Sequence, residues 1–284
     1  MLVFPNCKIN LGLIITGKRD DGYHNIETVF YPVQLNDALE IIHSTGPGKL
    51  PETVYTHSGA PIDGEEKDNL CIKAYHLLKK DFPQLPAVKI HLHKAIPMGA
   101  GLGGGSADAA FTLIALNEKY ALNLSNDQLL SYALQLGSDC PFFIINKPCI
   151  ATGRGEILQS INVALSGYQL ILVNPGIQVN TRWAFSQLNI DPDELTTKAA
   201  PYKLLQTIIS QPVSYWKDGL INDFEKPVFE KYPEIKAIKE AFYEKGALFA
   251  SMSGSGSSAY GIFDNNATRS FNFPENYLLR TILL

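Results

Sequence analysis

The chain has 284 residues, a formal net charge of −4 at pH 7, 45% hydrophobic residues and 18% charged residues. This length fits about two domains, and the slightly acidic balance argues against a general nucleic-acid-binding protein, which needs a basic surface. No apolar stretch approaches the ~18 residues of a membrane span, and the first residues lack the pattern of a secretory signal. Four scattered cysteines without a C-x-x-C pair indicate reduced core thiols, so we expect a cytoplasmic protein.

The first third of the chain is predicted to contain strands and one helix. Strands are expected at Lys8–Ile15 and Tyr23–Val33, with a charged turn between them. Residues Ser44–Asp68 are rich in glycine, proline and charge, which predicts loops and edge strands. One apolar face predicts a helix over Asn69–Phe82, and strict alternation predicts a half-buried strand at Val88–Lys94.

Two further helices are predicted before the middle of the chain. The first begins at Ser106 and carries an apolar stripe of alanine, leucine and isoleucine. The second covers Asp127–Leu136, because Ser125 and Gln128 form a capping box and Gly137 can end the helix.

The second half begins after a segment with little periodicity, Ile150–Asn162, which is the predicted domain boundary. A buried strand is expected at Tyr168–Val173 and a helix at Pro233–Glu244, with proline at its first position. The last elements are a strand–turn–strand unit formed by Ala247–Met252, a glycine loop and Tyr260–Phe263. This pattern predicts two lobes of the α+β class.

The most distinctive segment is Pro97–Asp108, in which five glycines and a serine separate a predicted strand from a predicted helix. Glycine lets the backbone curl and turn its N–H groups outward, and a helix start adds unpaired N–H groups and a positive dipole end. The segment therefore predicts a phosphate cradle made of main chain, with a plain turn as the alternative.

Two other nucleotide loops fit this segment less well. The G-K-[ST] ending of a Walker P-loop is missing. Residues Gly99–Gly104 satisfy the letters of G-x-G-x-x-G, but a dinucleotide fold requires a second strand where the capping box predicts a helix.

Three separated segments together resemble the GHMP kinases. They are the family's N-terminal segment at Lys8–Leu13, its ATP-binding loop at Ile96–Ser106 and its second glycine-rich loop at Met252–Ser258. Three motifs spread along the chain are far more specific than one glycine loop. Further segments resemble motifs of those family members that act on a cytidyl substrate. They are Arg19–His24, Asp68–Leu70, Gly137–Phe143, Asn174–Gly176 and Asn222–Glu225.

The resemblance implies a fold, a reaction and its participants. The fold would be α+β and two-lobed, with an N-terminal lobe like domain 2 of ribosomal protein S5 (residues 1–155), a C-terminal ferredoxin-like lobe (residues 156–284) and ligands in the cleft between them. The reaction would be ATP-dependent phosphorylation of the 2-hydroxyl of 4-diphosphocytidyl-2-C-methyl-D-erythritol in the methylerythritol phosphate route to isoprenoid precursors. ATP is the expected co-substrate, accompanied by Mg²⁺. No nucleic acid or membrane partner is expected, and the chain would be a monomer or a homodimer.

Two alternatives to this function remain open. The chain could be a kinase of the same family with another acceptor, such as homoserine or mevalonate. Tyr23 and His24 disfavour this alternative, because they resemble residues that recognise a cytidyl group. The chain could also be a non-catalytic nucleotide-binding module, although such a module has no need of both Lys8 and Asp139.

Phosphoryl transfer requires a carboxylate and a cation beside the nucleotide. Asp139 is the candidate carboxylate; local sequence equally allows a helix N-cap, because a proline follows two positions later. Lys8 shares a strand face with Asn10, and local sequence equally allows a solvated edge lysine. The resemblance implies that Lys8 and Asp139 form the catalytic pair and that Asn10 also faces the acceptor.

The resemblance also implies which residues bind the ligands. The ATP-binding residues would be Asn69, Lys94, Pro97, Gly99, Gly101, Gly103, Gly104, Gly105 and Ser106. The acceptor-binding residues would be Asn10, Tyr23, His24, Phe185, Gly254 and Gly256. Tyr23 and Phe185 would sandwich the cytosine, with Trp183 as an alternative to Phe185; ordinary core packing is the competing interpretation for each aromatic residue.

The metal ligands are left open by the sequence. His91 and His93 point to one strand face, but two ligands do not make a site. For Mg²⁺, Ser106 is a candidate, Asp139 is uncertain, and Asp108 equally suits the start of a helix.

Overall fold

The structure is a computed structural model that describes residues 1–45, 52–188, 201–265 and 269–284. Its strands in chain order are β1 (Leu2–Val3), β2 (Asn6–Lys18), β3 (His24–Asn36), β4 (Ala38–His43), β5 (Thr53–Gly59), β6 (Val88–Lys94), β7 (Cys149–Thr152), β8 (Ile157–Ser160), β9 (Tyr168–Asn174), β10 (Phe249–Met252), β11 (Ala259–Asp264) and β12 (Leu278–Leu283). Its α-helices are α1 (Leu70–Asp81), α2 (Gly104–Lys119), α3 (Asn126–Leu136), α4 (Cys140–Ile145), α5 (Thr181–Ser186), α6 (Pro201–Ile209), α7 (Glu225–Lys231) and α8 (Pro233–Glu244). The mixed α+β class expected from the sequence is confirmed.

The chain divides into two compact units that alternate along the sequence. The first unit contains Met1–Cys7, Gln34–Met98 and Gly103–Lys147, and the second contains Lys8–Val33, Gly99–Leu102 and Pro148–Leu284. The predicted division into lobes at residue 155 stays a prediction.

The first unit is built on a sheet with the strand order β1-β4-β6-β5. Strand β5 is parallel to β6 and lies at the edge, whereas the other neighbours are antiparallel. The alternation predicted for β6 is confirmed, because Val88, Ile90 and Leu92 are buried together with apolar residues of α1 and α2. This core supports the strand and the helix on either side of the glycine loop.

Helices α1 and α3 begin within one residue of their predicted starts, α2 begins earlier than predicted, and α4 was not predicted. Asn69 caps α1, and the capping box of Ser125 and Gln128 opens α3, so the second strand of a dinucleotide fold is absent from this position. Helix α2 begins at Gly104 instead of Ser106. A Cβ atom on Gly104 would lie 2.9 Å from the Ile96 side chain, so only glycine lets the first turn pack this closely.

The second unit contains an antiparallel sheet with the strand order β10-β11-β9-β12. Helix α8 packs on this sheet through the buried residues Ile238 and Phe242, as its apolar face predicts. The two predicted strands around the second glycine loop, β10 and β11, pair directly with each other.

A further sheet has the strand order β2-β3-β7-β8. Its hairpin β7–β8 occupies the segment Ile150–Asn162, in which the sequence shows little periodicity. Residues Cys149–Ala151 of β7 are buried, whereas β8 is mostly exposed. In the described part of the chain, no helix has the length and apolar character that crossing a bilayer requires.

Candidate functional site

The first glycine loop has the backbone conformation of an anion-binding turn. Gly99, Gly101 and Gly103 have φ values of +61°, +75° and +70°, which side-chain-bearing residues rarely adopt. Gly103 is the N-cap of α2 and cannot cap it with a side chain. The first N–H groups of this 16-residue helix therefore keep their capacity to bind an anion.

Gly101 lies in direct contact with the second glycine loop. The Ser253 hydroxyl donates a hydrogen bond to the Gly101 carbonyl at 2.8 Å, and the Ser258 N–H donates to the Ala100 carbonyl at 3.1 Å. A Cβ atom on Gly101 would lie 2.0 Å from the Ser253 carbonyl oxygen. The two loops thus meet through their main chains, and this contact explains the glycine at position 101.

Two asparagines fix the second glycine loop. The Asn222 amide donates to the carbonyls of Met252 and Gly254 at 2.8 and 2.9 Å. The Asn174 amide donates to the hydroxyls of Ser257 and Ser258, both at 3.0 Å. These bonds give a structural role to two segments that the sequence identified only by resemblance.

Lys8 belongs to a buried polar cluster on β2 and β3. It is 4% exposed, its ammonium donates to the Asn10 side-chain oxygen at 2.7 Å, and it lies 4.6 Å from the centre of the Phe30 ring. Asn10 in turn donates to the Thr28 hydroxyl at 2.9 Å. The interpretation of Lys8 as a solvated edge lysine is wrong, and its predicted proximity to Asn10 is confirmed.

Exposed and half-buried rings at the start of β3 form an aromatic cluster. His24 and Phe185 stack with their centroids 4.7 Å apart and an interplanar angle of 13°. Burial, together with the charge of Lys18, lowers the pKa of His24 and favours its neutral form. Tyr23 is 57% exposed, and the Arg154 guanidinium lies 5.0 Å from its ring centre, a cation–π contact that the sequence analysis missed.

Trp183 has different surroundings from Phe185. Its ring meets the edge of Tyr232 at 5.9 Å, and the Lys231 ammonium lies 3.9 Å from its centre. Phe185 is therefore the ring that lies beside His24, which favours it over Trp183 as the second stacking residue. The sandwich of a base between Tyr23 and Phe185 stays a prediction.

A cavity of about 410 Å³ opens within the first unit, a size typical of ligand pockets. Asn69, Met98, Gly105 and Asp108 are among its lining residues, so it adjoins the start of α2. Asn69 accepts a hydrogen bond from the Cys71 N–H and donates one to the Tyr55 hydroxyl, which also lines the cavity. The sequence predicts Asn69 and Gly105 as ATP-binding residues and leaves Asp108 open as a metal ligand. It gives no signal for Tyr55.

Lys94 is the last residue of β6, shortly before the first glycine loop, and is shielded from solvent. Its ammonium is 2.5 Å from Asp37 and 2.6 Å from Asp108, and all three side chains are at most 4% exposed. Burial opposes the charge of Lys94, but the two carboxylates hold its pKa above the usual range. Asp37 is 57 residues away in sequence, and no local signal could have paired it with Lys94.

Asp139 stands at the N-cap of α4, but among the described residues its side chain makes no capping hydrogen bond. Local sequence thus places Asp139 correctly at a helix start, but its side chain does not cap that helix, and its catalytic role stays a prediction. Ser106 forms a side-chain hydrogen bond with Cys140, although burial still raises the pKa of that thiol to about 12. Asp139 and Lys8 belong to different units, and their pairing stays a prediction.

Metal ligands are scarce in the described residues, which contain no group of three or more histidine, cysteine or acidic side chains suited to an ion. The Ser58 hydroxyl contacts both His91 and His93 at 3.0 Å. Mg²⁺ needs only one or two protein ligands when phosphates and water supply the rest, so an ion that arrives with ATP fits this composition.

Comparison with known proteins identifies similar sequences and structures. The model for the GHMP kinases N terminal domain matches residues 69–147, and the model for GHMP kinases C terminal matches residues 213–271. A 4-diphosphocytidyl-2-C-methyl-D-erythritol kinase of Bacteroides fragilis is 54% identical over 264 residues, covering 93% of this chain and 92% of that protein. A kinase of the same name from Cytophaga hutchinsonii is 49% identical over 277 residues, covering 97% and 96%.

A solved structure extends the similarity to three dimensions. The crystal structure of 4-(cytidine 5'-diphospho)-2C-methyl-D-erythritol kinase superposes with a TM-score of 0.74 and 30% sequence identity. The match covers 92% of this chain and 90% of the other.

Proposed function

Because this chain belongs to the GHMP kinase family and is a small-molecule kinase, we propose that its acceptor is 4-diphosphocytidyl-2-C-methyl-D-erythritol. It would transfer the γ-phosphoryl group of ATP to the 2-hydroxyl and release ADP, in the methylerythritol phosphate route to isoprenoid precursors. The observation that carries this proposal is the 54% identity to a kinase of that name across nine-tenths of both chains. The exposed Tyr23 beside stacked His24 and Phe185 supports a cytidyl acceptor.

The proposed nucleotide site combines the first glycine loop with the adjoining cavity. The loop offers main-chain N–H groups to the phosphates, and the cavity has room for the base and ribose. We assign to ATP binding the residues Asn69, Lys94, Pro97, Gly99, Gly101, Gly103, Gly104, Gly105 and Ser106. Mg²⁺ would supply charge neutralisation of the phosphates when bound, with Ser106 as the chain's candidate ligand.

The proposed chemistry is an in-line displacement at phosphorus. The bond from the acceptor oxygen to the γ-phosphorus forms, the bond to the β–γ bridging oxygen breaks with ADP as the leaving group, and the hydroxyl proton passes late in the reaction to Asp139 or to the transferred phosphoryl group. Asp139 would accept a hydrogen bond from this hydroxyl and orient it, and the Lys8 ammonium would stabilise negative charge during transfer. The confirmed contact of Lys8 with Asn10 supports placing both residues on the acceptor side.

The proposed acceptor site consists of Asn10, Tyr23, His24, Phe185, Gly254 and Gly256. The position of Gly254 beside Asn10 supports including the second glycine loop, since a Cβ atom on Gly254 would lie 3.5 Å from the Asn10 side-chain oxygen. We further propose a cytoplasmic protein, which the four buried thiols support. It would act as a monomer or homodimer on small molecules, without a nucleic acid or a membrane.

An ADP-release assay with a panel of alcohols tests the proposed acceptor. The purified chain is given ATP and Mg²⁺ with the cytidyl substrate, homoserine or mevalonate in turn. We expect release above background with the cytidyl substrate alone. Release with homoserine or mevalonate instead would assign another acceptor, and ATP binding without release for any alcohol would indicate a non-catalytic module.

A further inference from the structure

A buried ion cluster connects the two arms of the first glycine loop. One arm is the end of β6, which carries Lys94, and the other is α2, which carries Asp108 in its second turn. The Lys94 ammonium reaches Asp108 at 2.6 Å and also Asp37 at 2.5 Å. A single buried ammonium is thus shared by two carboxyl groups.

Asp37 secures the arm that enters the loop. Its second oxygen accepts hydrogen bonds from the N–H groups of Ala95 and Ile96 at 2.6 and 2.8 Å. Its own N–H donates to the Pro5 carbonyl at 2.8 Å, which ties Asp37 to the start of the chain. Three consecutive residues, Lys94 to Ile96, are therefore held by one side chain immediately before the loop.

Asp108 secures the arm that leaves the loop. It lines the cavity together with Gly105, and its Oδ1 has no hydrogen-bond partner among the described residues. The first turn of α2 rests directly on the cluster, because a Cβ on Gly104 would lie 3.0 Å from the Lys94 nitrogen. Movement of Lys94 would therefore displace the start of α2, whose N–H groups are available to bind a phosphate.

Burying an ammonium group between two carboxyl groups is a poor way to gain stability, because desolvation offsets most of the attraction between them. Such a cluster does fix geometry, since each charge accepts few alternative positions in a low-dielectric interior. The geometry fixed here is the separation between the strand end and the helix start, which sets the width of the glycine loop.

We propose that Lys94, Asp37 and Asp108 form a positioning cluster that sets the shape of the glycine loop and thereby the affinity for ATP. Lys94 acts on the nucleotide through Asp108 and α2. This proposal deepens the proposed function, because it presupposes that ATP binds at the loop, and it assigns to Asp37 and Asp108 a role that their sequence context does not suggest.

The test compares variants of Asp108 in the full chain, with Thr112→Val as the matched control. Thr112 is buried one turn further along α2 and donates its hydroxyl to the Asp108 carbonyl, so its loss perturbs the same helix without touching the cluster. The measured quantities are KM for ATP, KM for the acceptor, kcat and the melting temperature. Titration with a fluorescent ATP analogue adds an affinity that does not depend on turnover.

Asp108→Ala is expected to raise KM for ATP roughly tenfold or more, as the loss of a charge-assisted hydrogen bond predicts. KM for the acceptor should stay within about twofold, because none of the residues proposed to bind the acceptor belongs to this cluster. Asp108→Asn should stay within about threefold of the original KM for ATP, since an amide oxygen still accepts from Lys94. If Asp108→Ala does not fold, Asp108→Ser replaces it with the same expectation.

A double-mutant cycle separates positioning from direct contact. If Lys94 acts through Asp108, the pair Lys94→Met with Asp108→Ala should raise KM for ATP no more than the larger single effect. If the increases in KM for ATP caused by the two single substitutions multiply in the double variant, Lys94 contacts ATP independently of Asp108 and the proposal is overturned. The proposal is also overturned if Asp108→Ala leaves KM for ATP unchanged, or if Thr112→Val raises KM for ATP as much as Asp108→Ala does. Absence of turnover in the original chain would instead count against the proposed function.

Discussion

Replacing Glu27 with glutamine should remove a pH-dependent loss of stability. Glu27 lies on β3, is 4% exposed, and its Oε1 has no hydrogen-bond partner in the described part of the chain. Burial raises the pKa of Glu27 to about 7 from its ordinary 4.5. The neighbouring Thr28 faces Asn10, so strand alternation directs Glu27 to the other face of the sheet, away from the Lys8 cluster.

The sign and size of the effect follow from this change in pKa. A carboxyl whose pKa is higher in the folded state binds its proton more tightly there, so folding is disfavoured as the pH rises from 4.5 through about 7. Each pKa unit corresponds to ~1.36 kcal/mol, so the 2.5 units between 4.5 and about 7 amount to about 3 kcal/mol. Glutamine is neutral throughout and lacks this dependence.

Urea unfolding of both proteins between about pH 5 and about pH 8.5 measures the difference. We expect the free energy of unfolding of Glu27→Gln, relative to the original chain, to rise by about 2.5 kcal/mol across this range, because part of the effect is already present at about pH 5. Glu230→Gln, an exposed carboxylate on α7, is the matched control and should show no such rise. A difference between Glu27→Gln and the original chain that stays flat with pH would refute the assignment of a protonated, buried Glu27.

Three further outcomes test the site. Asp139→Asn should lower kcat by roughly 10²-fold or more, with the affinity for an ATP analogue unchanged; turnover within a few-fold of the original would show that the carboxylate is dispensable. Tyr23→Ala should raise KM for the cytidyl substrate about tenfold, as the loss of base stacking predicts, and leave KM for ATP alone; equal rises would contradict base stacking. Gly101→Ala should lower the melting temperature much more than Gly176→Ala. Both glycines have a φ of +75°, but only at Gly101 would the new Cβ meet Ser253, at 2.0 Å. Similar melting temperatures would mean that the loops can separate without cost.

The elements that sequence predicts well are those specified by local chemistry. Strand β6 was placed at its observed bounds because alternation of apolar and polar residues is visible residue by residue. Helix α8 was likewise bounded correctly by Pro233 and Glu244, since a proline start and an apolar face are both local signals. The capping box at Ser125 and Gln128 forms for the same reason.

The features that sequence reasoning missed depend on contacts between distant residues. The pairing of Lys94 with Asp37 spans 57 residues and leaves no trace in periodicity. The hairpin β7–β8 is defined by pairing with β3, so its own residues carry little pattern. The start of α2 at Gly104 required knowing how closely Ile96 approaches. Resemblance named the site residues, but only the fold shows which side chains they contact.

The meeting of the two glycine loops through main-chain atoms has a consequence for what each turn tolerates. The bond from the Ser258 N–H to the Ala100 carbonyl joins backbone atoms and does not depend on side-chain identity, whereas the bond to the Gly101 carbonyl requires the Ser253 hydroxyl. One inserted or deleted residue, by contrast, would shift the chain by ~3.3 Å or more and pull Ser253 away from Gly101. The contact therefore constrains the length of these turns as well as the residue type at position 101.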